Sequence, residues 1–192
     1  DQKSGVEIEE MDPHVSDTDA VRSSIGQGTN NYAPVQLARY VTAVANEGTV
    51  YQYTLLNRLE DSDGNVLQTF EPQVRNQIDV LDTEEWNAIH SGMRMVVENT
   101  KEFDGFPIEA AGKTGTAQQN LKRPNHALFV GYAPYDDPEI SIATRIAYGY
   151  TSHNAAKLAR NVFAYYFNVE NEDELLNGQA ANGNSSSNEI SD

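Results

Sequence analysis

One short segment of this chain, Lys113-Thr114-Gly115-Thr116-Ala117-Gln118, carries side chains that could bind an anionic peptide. If the segment is a strand, successive side chains point to opposite faces. Thr114 and Thr116 then share one face, where two hydroxyls can hydrogen-bond a carboxylate, and Lys113 behind them adds electrostatic attraction. Gly115 places no side chain between the hydroxyls, so an extended peptide could lie along the strand. The segment therefore predicts recognition of a peptide that carries a carboxylate.

Acyl transfer at such a strand also needs a nucleophile and a proton relay. Serine acyl-transferases that use a Lys-Thr-Gly triplet hold the nucleophile in Ser-x-x-Lys and the relay in a Ser-x-Asn-like element. No Ser-x-Asn precedes Lys113. A serine three residues earlier is missing before every lysine of the chain: Lys3, Lys101, Lys113, Lys122 and Lys157. The sequence therefore predicts binding chemistry in a polypeptide that cannot perform the transfer alone.

Two later strings match Ser-x-Asn, but neither is expected to be catalytic. Ser152-His153-Asn154 follows the triplet and begins a predicted helix, where Ser152 is expected to be the N-cap. Ser186-Ser187-Asn188 lies in a polar tail. The histidines lack the spacing of metal ligands, so neither a metal site nor a cofactor is predicted, and His126 is expected to have a structural role. The four histidines are His14, His90, His126 and His153.

Composition excludes several classes of function. The formal net charge of −16 argues against binding nucleic acid, where a basic surface supplies most of the affinity, and against docking on an anionic membrane. The chain has no cysteine, which excludes disulfides and thiol catalysis. No apolar run approaches the ~18–20 residues of a transmembrane helix. Because the chain starts at Asp1 without a Met, a processed or excised piece is expected, although a boundary chosen for expression would look the same.

The pattern along the chain predicts a polar loop over 1–22, followed by a helix at 34–47. Pro34 suits the first helical turn, and Gly48 stands where a terminating glycine belongs. The run 50–59 alternates like a strand, and Asp63-Gly64-Asn65 predicts a hairpin turn into Val66–Phe70.

A second helix is expected to begin near Asp82, with Glu85 completing a capping box. Its apolar stripe consists of Trp86, Ile89, Met93, Val96 and Val97. Strands at 109–118, 126–133 and 139–150 have short connections, which favours an antiparallel meander. A last helix at 153–167 has its apolar side at Ala156, Leu158, Ala159, Val162, Phe163 and Tyr166. The segment 170–192 is too polar to offset its ordering entropy and is expected to be disordered.

Three stretches in order resemble the transpeptidase domain of class B penicillin-binding proteins, of the penicillin-binding protein 2 type. The first is Ser24-Ile25-Gly26-Gln27-Gly28 followed by Ala33-Pro34-Val35-Gln36-Leu37-Ala38. The second is Ala111-Gly112 with the following Lys-Thr-Gly segment, and the third is His126-Ala127-Leu128-Phe129-Val130-Gly131-Tyr132-Ala133-Pro134. Gly26 and Gly28 could equally serve only to turn the backbone before the helix, without a role near the site. The resemblance covers roughly residues 20–167.

The resemblance implies an α+β fold, an antiparallel sheet flanked by helices, that is an incomplete penicillin-binding/β-lactamase-like transpeptidase fold spanning residues 23–169. It implies a peptidoglycan D,D-transpeptidase that cross-links stem peptides and is acylated by β-lactams. Lys113 and Thr116 would be catalytic, the latter through a backbone oxyanion donor. Thr114, Gly115, Thr116 and Gln118 would contact substrate, although Gln118 could also be a plain surface residue of the strand.

The same resemblance implies partners and a location. The expected partners are peptidoglycan stem peptides, β-lactam antibiotics, the missing N-terminal part of the same protein and other cell-wall synthesis proteins. The expected location is the extracytoplasmic face of the bacterial cytoplasmic membrane, with the anchor absent from this chain. Because part of the core would come from before residue 1, the piece alone is expected to be partly destabilised or to self-associate.

Two alternatives remain at the level of sequence. One is a non-catalytic sensor of β-lactams or muropeptides, and the other is a D,D-carboxypeptidase or β-lactamase.

One departure from the family also stands out, because Glu98-Asn99-Thr100-Lys101-Glu102-Phe103 replaces the usual glycine-rich turn after the long helix.

Overall fold

The computed structural model describes residues 17–24, Gly26, residues 32–118, residues 122–170 and Leu175. In this part of the chain, a three-stranded antiparallel sheet has helices packed on it, and two two-stranded ladders accompany it. The predicted α+β class is therefore confirmed. The loop prediction for residues 1–16, Gln27 and Gly28 of the Gly-Gln-Gly segment, and nearly all of the predicted tail lie outside the described residues.

The described helices are α1 (Asp17–Ser23), α2 (Pro34–Ala45), α3 (Thr83–Glu98) and α4 (Ser152–Tyr166). Helix α1 corrects the prediction of a loop over 1–22, at least for residues 17–22. Asp17 at its start and Arg22 in its last turn both complement the helix dipole, a local signal that the low apolar content of the segment concealed.

Helix α2 ends in a Schellman motif two residues before its predicted limit. Gly48 N donates to Ala43 O at 2.8 Å, and Glu47 N donates to Val44 O at 3.2 Å. Gly48 has a φ of 92°, and a Cβ there would lie 2.2 Å from Ile78 O. The left-handed C′ position of this motif belongs to Glu47, with a φ of 47°, so the predicted glycine cap lies one residue too far along. Gly48 follows it, and its close approach to Ile78 requires glycine.

Helix α3 begins as predicted, because Asp82 and Glu85 exchange two hydrogen bonds of 2.9 Å in a capping box. Its apolar stripe is only partly buried: Trp86 and Val97 are buried, whereas Ile89 is exposed, contrary to the prediction. In α4 the buried residues include Ala156, Ala159 and Phe163, whereas three residues of the predicted apolar side are exposed, namely Leu158, Val162 and Tyr166.

The strands are β1 (Thr49–Tyr51), β2 (Arg58–Glu60), β3 (Val66–Thr69), β4 (Val74–Gln77), β5 (Ala111–Ala117), β6 (His126–Ala133) and β7 (Ile140–Ile146). The run 50–59 thus divides into two strands. The β2–β3 hairpin forms as predicted around Gly64, which has a φ of 84°. Asp61 closes it, and hydrogen bonds from the Asn65 side chain and from nearby backbone N–H groups lower the pKa of that carboxyl.

Strands β5, β6 and β7 form the predicted meander, paired in that order. One core cluster joins α4 to β6 through Phe129 and Phe163, and a second joins α2 to the sheet through Val41 and Tyr132. Burial raises the pKa of Tyr132 to about 12, so its hydroxyl is neutral at physiological pH. No helix in the described ranges is both long and apolar enough to cross a membrane.

The N-terminus of α4 differs from the prediction by one residue. The helix begins at Ser152, so the capping position belongs to Thr151, whose side chain accepts a hydrogen bond from His153 N at 3.5 Å. Asn154 Nδ2 donates to Gly149 O at 2.8 Å, and His153 Nδ1 lies 2.8 Å from Glu102 Oε2. The Ser152-His153-Asn154 string therefore contributes to local structure at the start of α4.

Candidate functional site

Strand β5 carries the Lys-Thr-Gly segment on the outer side of the described sheet, where its one strand partner is β6. In an antiparallel pair, alternate residues direct their N–H and C=O groups away from the partner strand. The outer side of β5 therefore offers backbone groups at alternate residues to which an extended peptide could be added.

The strand register determines which side chains of β5 share a face. Thr114 lies opposite Phe129, and Thr116 lies opposite Ala127, both of which belong to the core under α4. Lys113 lies opposite Val130, which packs against the other core cluster. Because directly opposed residues share a face, the two threonines lie on one face and Lys113 on the other, as strand alternation predicts.

Exposure along β5 leaves much of the segment accessible. Lys113, Thr116 and Gln118 are exposed, and Thr114 and Gly115 are half-buried. Lys113 Nζ donates to Thr114 O at 2.8 Å, and the structure records no ion pair for this ammonium group within the described ranges. The positive charge of Lys113 is thus available to an anion at the strand.

The beginning of β5 is held by helix α3. Arg94 Nη1 donates to Ala110 O at 3.3 Å, and Nη2 pairs with Glu109 Oε1 at 3.2 Å. These contacts fix the backbone three residues before Lys113 to a capped helix. Sequence reasoning did not identify Arg94, since it lies on the polar side of a helical pattern with no local sign of its partner.

Phe129 of β6 packs its ring against the motif strand β5. Its fully buried ring stacks on Phe103 at 5.7 Å and covers the paired glycines Gly112 and Gly131. A Cβ at Gly112 would lie 2.3 Å from Phe129 Cζ, and one at Gly131 would lie 2.6 Å from Ala111 O. The unusual Glu98–Phe103 loop thus has a role, because its 3₁₀ turn Lys101–Phe103 places Phe103 under this ring.

Replacing Gly112 by alanine should lower the free energy of unfolding by about 1–3 kcal/mol, because the added methyl group overlaps Phe129. Gly115→Ala is the matched control, since its Cβ would meet only Leu128 Cβ at 3.4 Å. Urea unfolding of both variants measures the difference. Equal free energies of unfolding for the two variants would contradict this packing role of Gly112.

The other end of β5 lies beside an aromatic and basic cluster. His126, opposite Ala117, is buried and accepts a hydrogen bond at Nδ1 from Tyr148 N at 3.1 Å. Arg123 Nη1 donates to the Tyr148 hydroxyl at 2.7 Å. The contacts of His126 agree with the structural role predicted for it. The hydrogen bond from Tyr148 to His126 fixes the turn after β7, in which Tyr148 has a φ of 55°.

The structure thus places all of the predicted site residues, from Lys113 to Gln118, on or directly after one strand. Gly26 follows α1, and no contact of it with β5 is described. Helix α2, which carries the Pro-x-Gln-Leu-Ala stretch, packs on β6 and β7. Among the described residues, no group of three or more His, Cys, Asp or Glu side chains could hold a metal ion.

A model of the penicillin binding protein transpeptidase domain matches residues 2–165. Among curated proteins, the chain is 34% identical over 171 residues to peptidoglycan D,D-transpeptidase MrdA of Haemophilus influenzae, covering 78% of this chain and 26% of that protein. It is 33% identical over 165 residues to MrdA of Acinetobacter baumannii, covering 77% of this chain and 24% of that protein. The chain therefore spans about a quarter of the length of these relatives.

Solved structures show the same fold. Penicillin-binding protein 2B of Streptococcus pneumoniae superposes with a TM-score of 0.70 at 24% identity, covering 81% of this chain and 28% of that chain. Penicillin-binding protein A of M. tuberculosis, in an imipenem acyl-enzyme complex, gives 0.69 at 22% identity, covering 80% and 35%. The Pseudomonas aeruginosa PBP2 complex with WCK 5153 gives 0.65 at 26% identity, covering 82% and 36%.

Proposed function

We propose, since the chain belongs to the penicillin-binding protein transpeptidase domain family, that it forms the C-terminal part of a peptidoglycan D,D-transpeptidase that β-lactams acylate. The observation that carries the proposal is the Lys113–Thr116 segment on the outer strand of the sheet, with its cation and hydroxyls on opposite faces. The similarity to two proteins named as peptidoglycan D,D-transpeptidases supports the reaction class.

In this function, β5 forms one wall of the cleft. The hydroxyls of Thr114 and Thr116 hydrogen-bond the terminal carboxylate of a stem peptide, and the positive charge of Lys113 behind them adds electrostatic attraction. The backbone N–H of Thr116 donates to the developing oxyanion, a kind of contact whose removal costs about 10²–10³ in rate in a well-studied serine protease. Gly115 lets the substrate backbone lie flat beside the strand, and Gln118 contacts it farther along.

The nucleophile in this proposal comes from a segment outside these 192 residues, since no lysine of the chain follows a serine at the required spacing. That serine attacks the penultimate D-Ala carbonyl and releases the terminal D-Ala. An amine on a neighbouring peptidoglycan strand then attacks the acyl-enzyme and displaces the serine. Lys113 polarises the Ser-x-Asn-like proton relay, which that outside segment also supplies. The proposed location is the extracytoplasmic face of the cytoplasmic membrane, where the stem peptides are.

A chimera tests the proposal: residues 17–170 replace the matched part of Haemophilus influenzae MrdA, and the rate of acylation by a fluorescent penicillin is measured. Lys113→Ala should lower that rate about 10–100-fold, because the charged hydrogen bond from Lys113 to the relay is lost. Lys157→Ala is the control, since Lys157 is an exposed lysine on α4. Equal rates for the two variants would refute the role of Lys113.

The same chimera separates the transpeptidase from the alternative functions. A transpeptidase should form cross-linked dimers from stem peptides and release the penicillin adduct slowly. Rapid turnover of the β-lactam or simple release of D-Ala would instead indicate a hydrolase, and a stable adduct without any cross-linked product would indicate a sensor.

A further inference from the structure

A small cavity lies between α2 and the β1–β4 ladder, and no residue of β5 lines it. This cavity of about 200 Å³, partly open to solvent, is lined by Arg39 on α2, Gln52 and Tyr53 after β1, and Arg75 on β4. Two arginines therefore line one small cavity in a chain whose formal net charge is −16.

Arg39 is held in place at this cavity by an aromatic contact. Its guanidinium carbon lies 4.1 Å from the centre of the Tyr53 ring, and the Tyr53 hydroxyl donates to Val35 O at 3.1 Å. A guanidinium that stacks on an anchored ring loses little freedom when it binds an anion. Nη1 of Arg39 is shielded from solvent and has no hydrogen-bond partner among the described residues.

Arg75 reaches the cavity from a β-bulge. In the β1–β4 ladder, Val50 lies opposite Asn76 and Tyr51 lies opposite Val74, so Arg75 is the extra residue and has no Cα partner. Bulges of this kind redirect the side chain of the extra residue. The backbone beside it is fixed, since Gln52 N donates to Gln73 O at 2.8 Å.

Neither arginine has a carboxylate partner in the described ranges. The arginines found in ion pairs there are Arg58, Arg94 and Arg160, and their partners are Glu60, Glu98, Glu109 and Glu170. A guanidinium carries five N–H donors and no acceptor, so a shielded donor without a partner is costly. An oxyanion in the cavity would supply acceptors to both arginines at once.

The geometry points to an anion-binding site in which Arg39 and Arg75 together hold one carboxylate or phosphate group, with the Gln52 amide as a further donor. The cavity is smaller than the ~300–1,000 Å³ typical of pockets for drug-sized ligands, which suits a single anionic group. This site is separate from β5 and does not depend on the proposed transpeptidase function.

Calorimetric titration of the 192-residue chain tests the site, with inorganic phosphate in one arm and acetate in the other, at an ionic strength held constant with NaCl. We expect saturable binding of one ion per chain in at least one arm, and the arm that binds identifies the group. Arg75→Gln and Arg39→Gln should each weaken binding about tenfold or more, because each removes charge-assisted hydrogen bonds.

Arg58→Gln is the matched control, since it removes the same charge from the β2–β3 hairpin, which does not line the cavity. It should change the affinity for the ion by less than about twofold. Arg75 lies on an exposed strand, so its variant is expected to remain folded by circular dichroism even if Arg39→Gln disturbs the contact with Tyr53. The absence of saturable binding in both arms would overturn the proposal. An equal loss of affinity in Arg58→Gln would also overturn it, because bulk charge would then explain the effect.

Discussion

A fluorescent penicillin should leave this 192-residue chain without a covalent adduct, while M. tuberculosis penicillin-binding protein A becomes labelled under the same conditions. That protein has been solved as a penicillin G acyl-enzyme complex, which makes it a suitable positive control. The present chain has the strand proposed to bind the carboxylate but no Ser-x-x-Lys, and acylation requires a serine activated by an adjacent base. The expected difference is complete: a band for the control and none for the chain.

Two further measurements make this result specific. Circular dichroism must show that the unlabelled chain is folded, and the chimera with MrdA must be labelled under the same conditions. Intact-mass spectrometry of the chain should show the unmodified mass. A stoichiometric adduct on any serine of these 192 residues would contradict the proposal that the nucleophile lies outside them.

Phe129→Ala should produce the largest loss of stability among single substitutions near the site, about 3–5 kcal/mol in the free energy of unfolding. Phe129 is fully buried, stacks on Phe103 and covers Gly112 in the motif strand. Truncation would leave a cavity between the sheet and α4, and it would release β5 from its support. Urea unfolding followed by circular dichroism measures the loss.

Leu158→Ala is the control for Phe129→Ala. Leu158 lies on α4, the helix that packs on β6, but its side chain is 44% exposed. This substitution should change the free energy of unfolding by less than about 1 kcal/mol. If Phe129→Ala costs no more than Leu158→Ala, then the core between α4 and the sheet does not support the motif strand.

Local sequence patterns predicted several strands and helices around the candidate site. The run from His126 to Ala133 was predicted as a strand with both ends correct, and the Asp82–Glu85 capping box set the start of α3. Alternation along β5 also predicted that Thr114 and Thr116 share a face opposite Lys113, which the register confirms. These features depend on residues within a few positions of one another, so the sequence states them directly.

Contacts between distant segments could not be predicted in the same way. The β1–β4 ladder joins Thr49–Tyr51 to Val74–Gln77, and its bulge brings Arg75 to the cavity that Arg39 lines. The short helix at Asp17–Ser23 and the shift of the α4 cap to Thr151 were also missed, because each depends on where a helix actually begins. At the end of a helix, residue propensity alone does not decide which of several adjacent residues begins it.

By itself, the sequence determined that this chain carries a Lys-Thr-Gly strand of the penicillin-binding protein transpeptidase domain and has no Ser-x-x-Lys within these 192 residues. Only the tertiary structure showed why that strand keeps its place. Gly112 must lack a side chain because the Phe129 ring covers it, and Arg94 must reach Ala110 from another element. The physical reason is that spacing along a chain reports which face a side chain takes, whereas steric fit and buried hydrogen bonds depend on which segments meet.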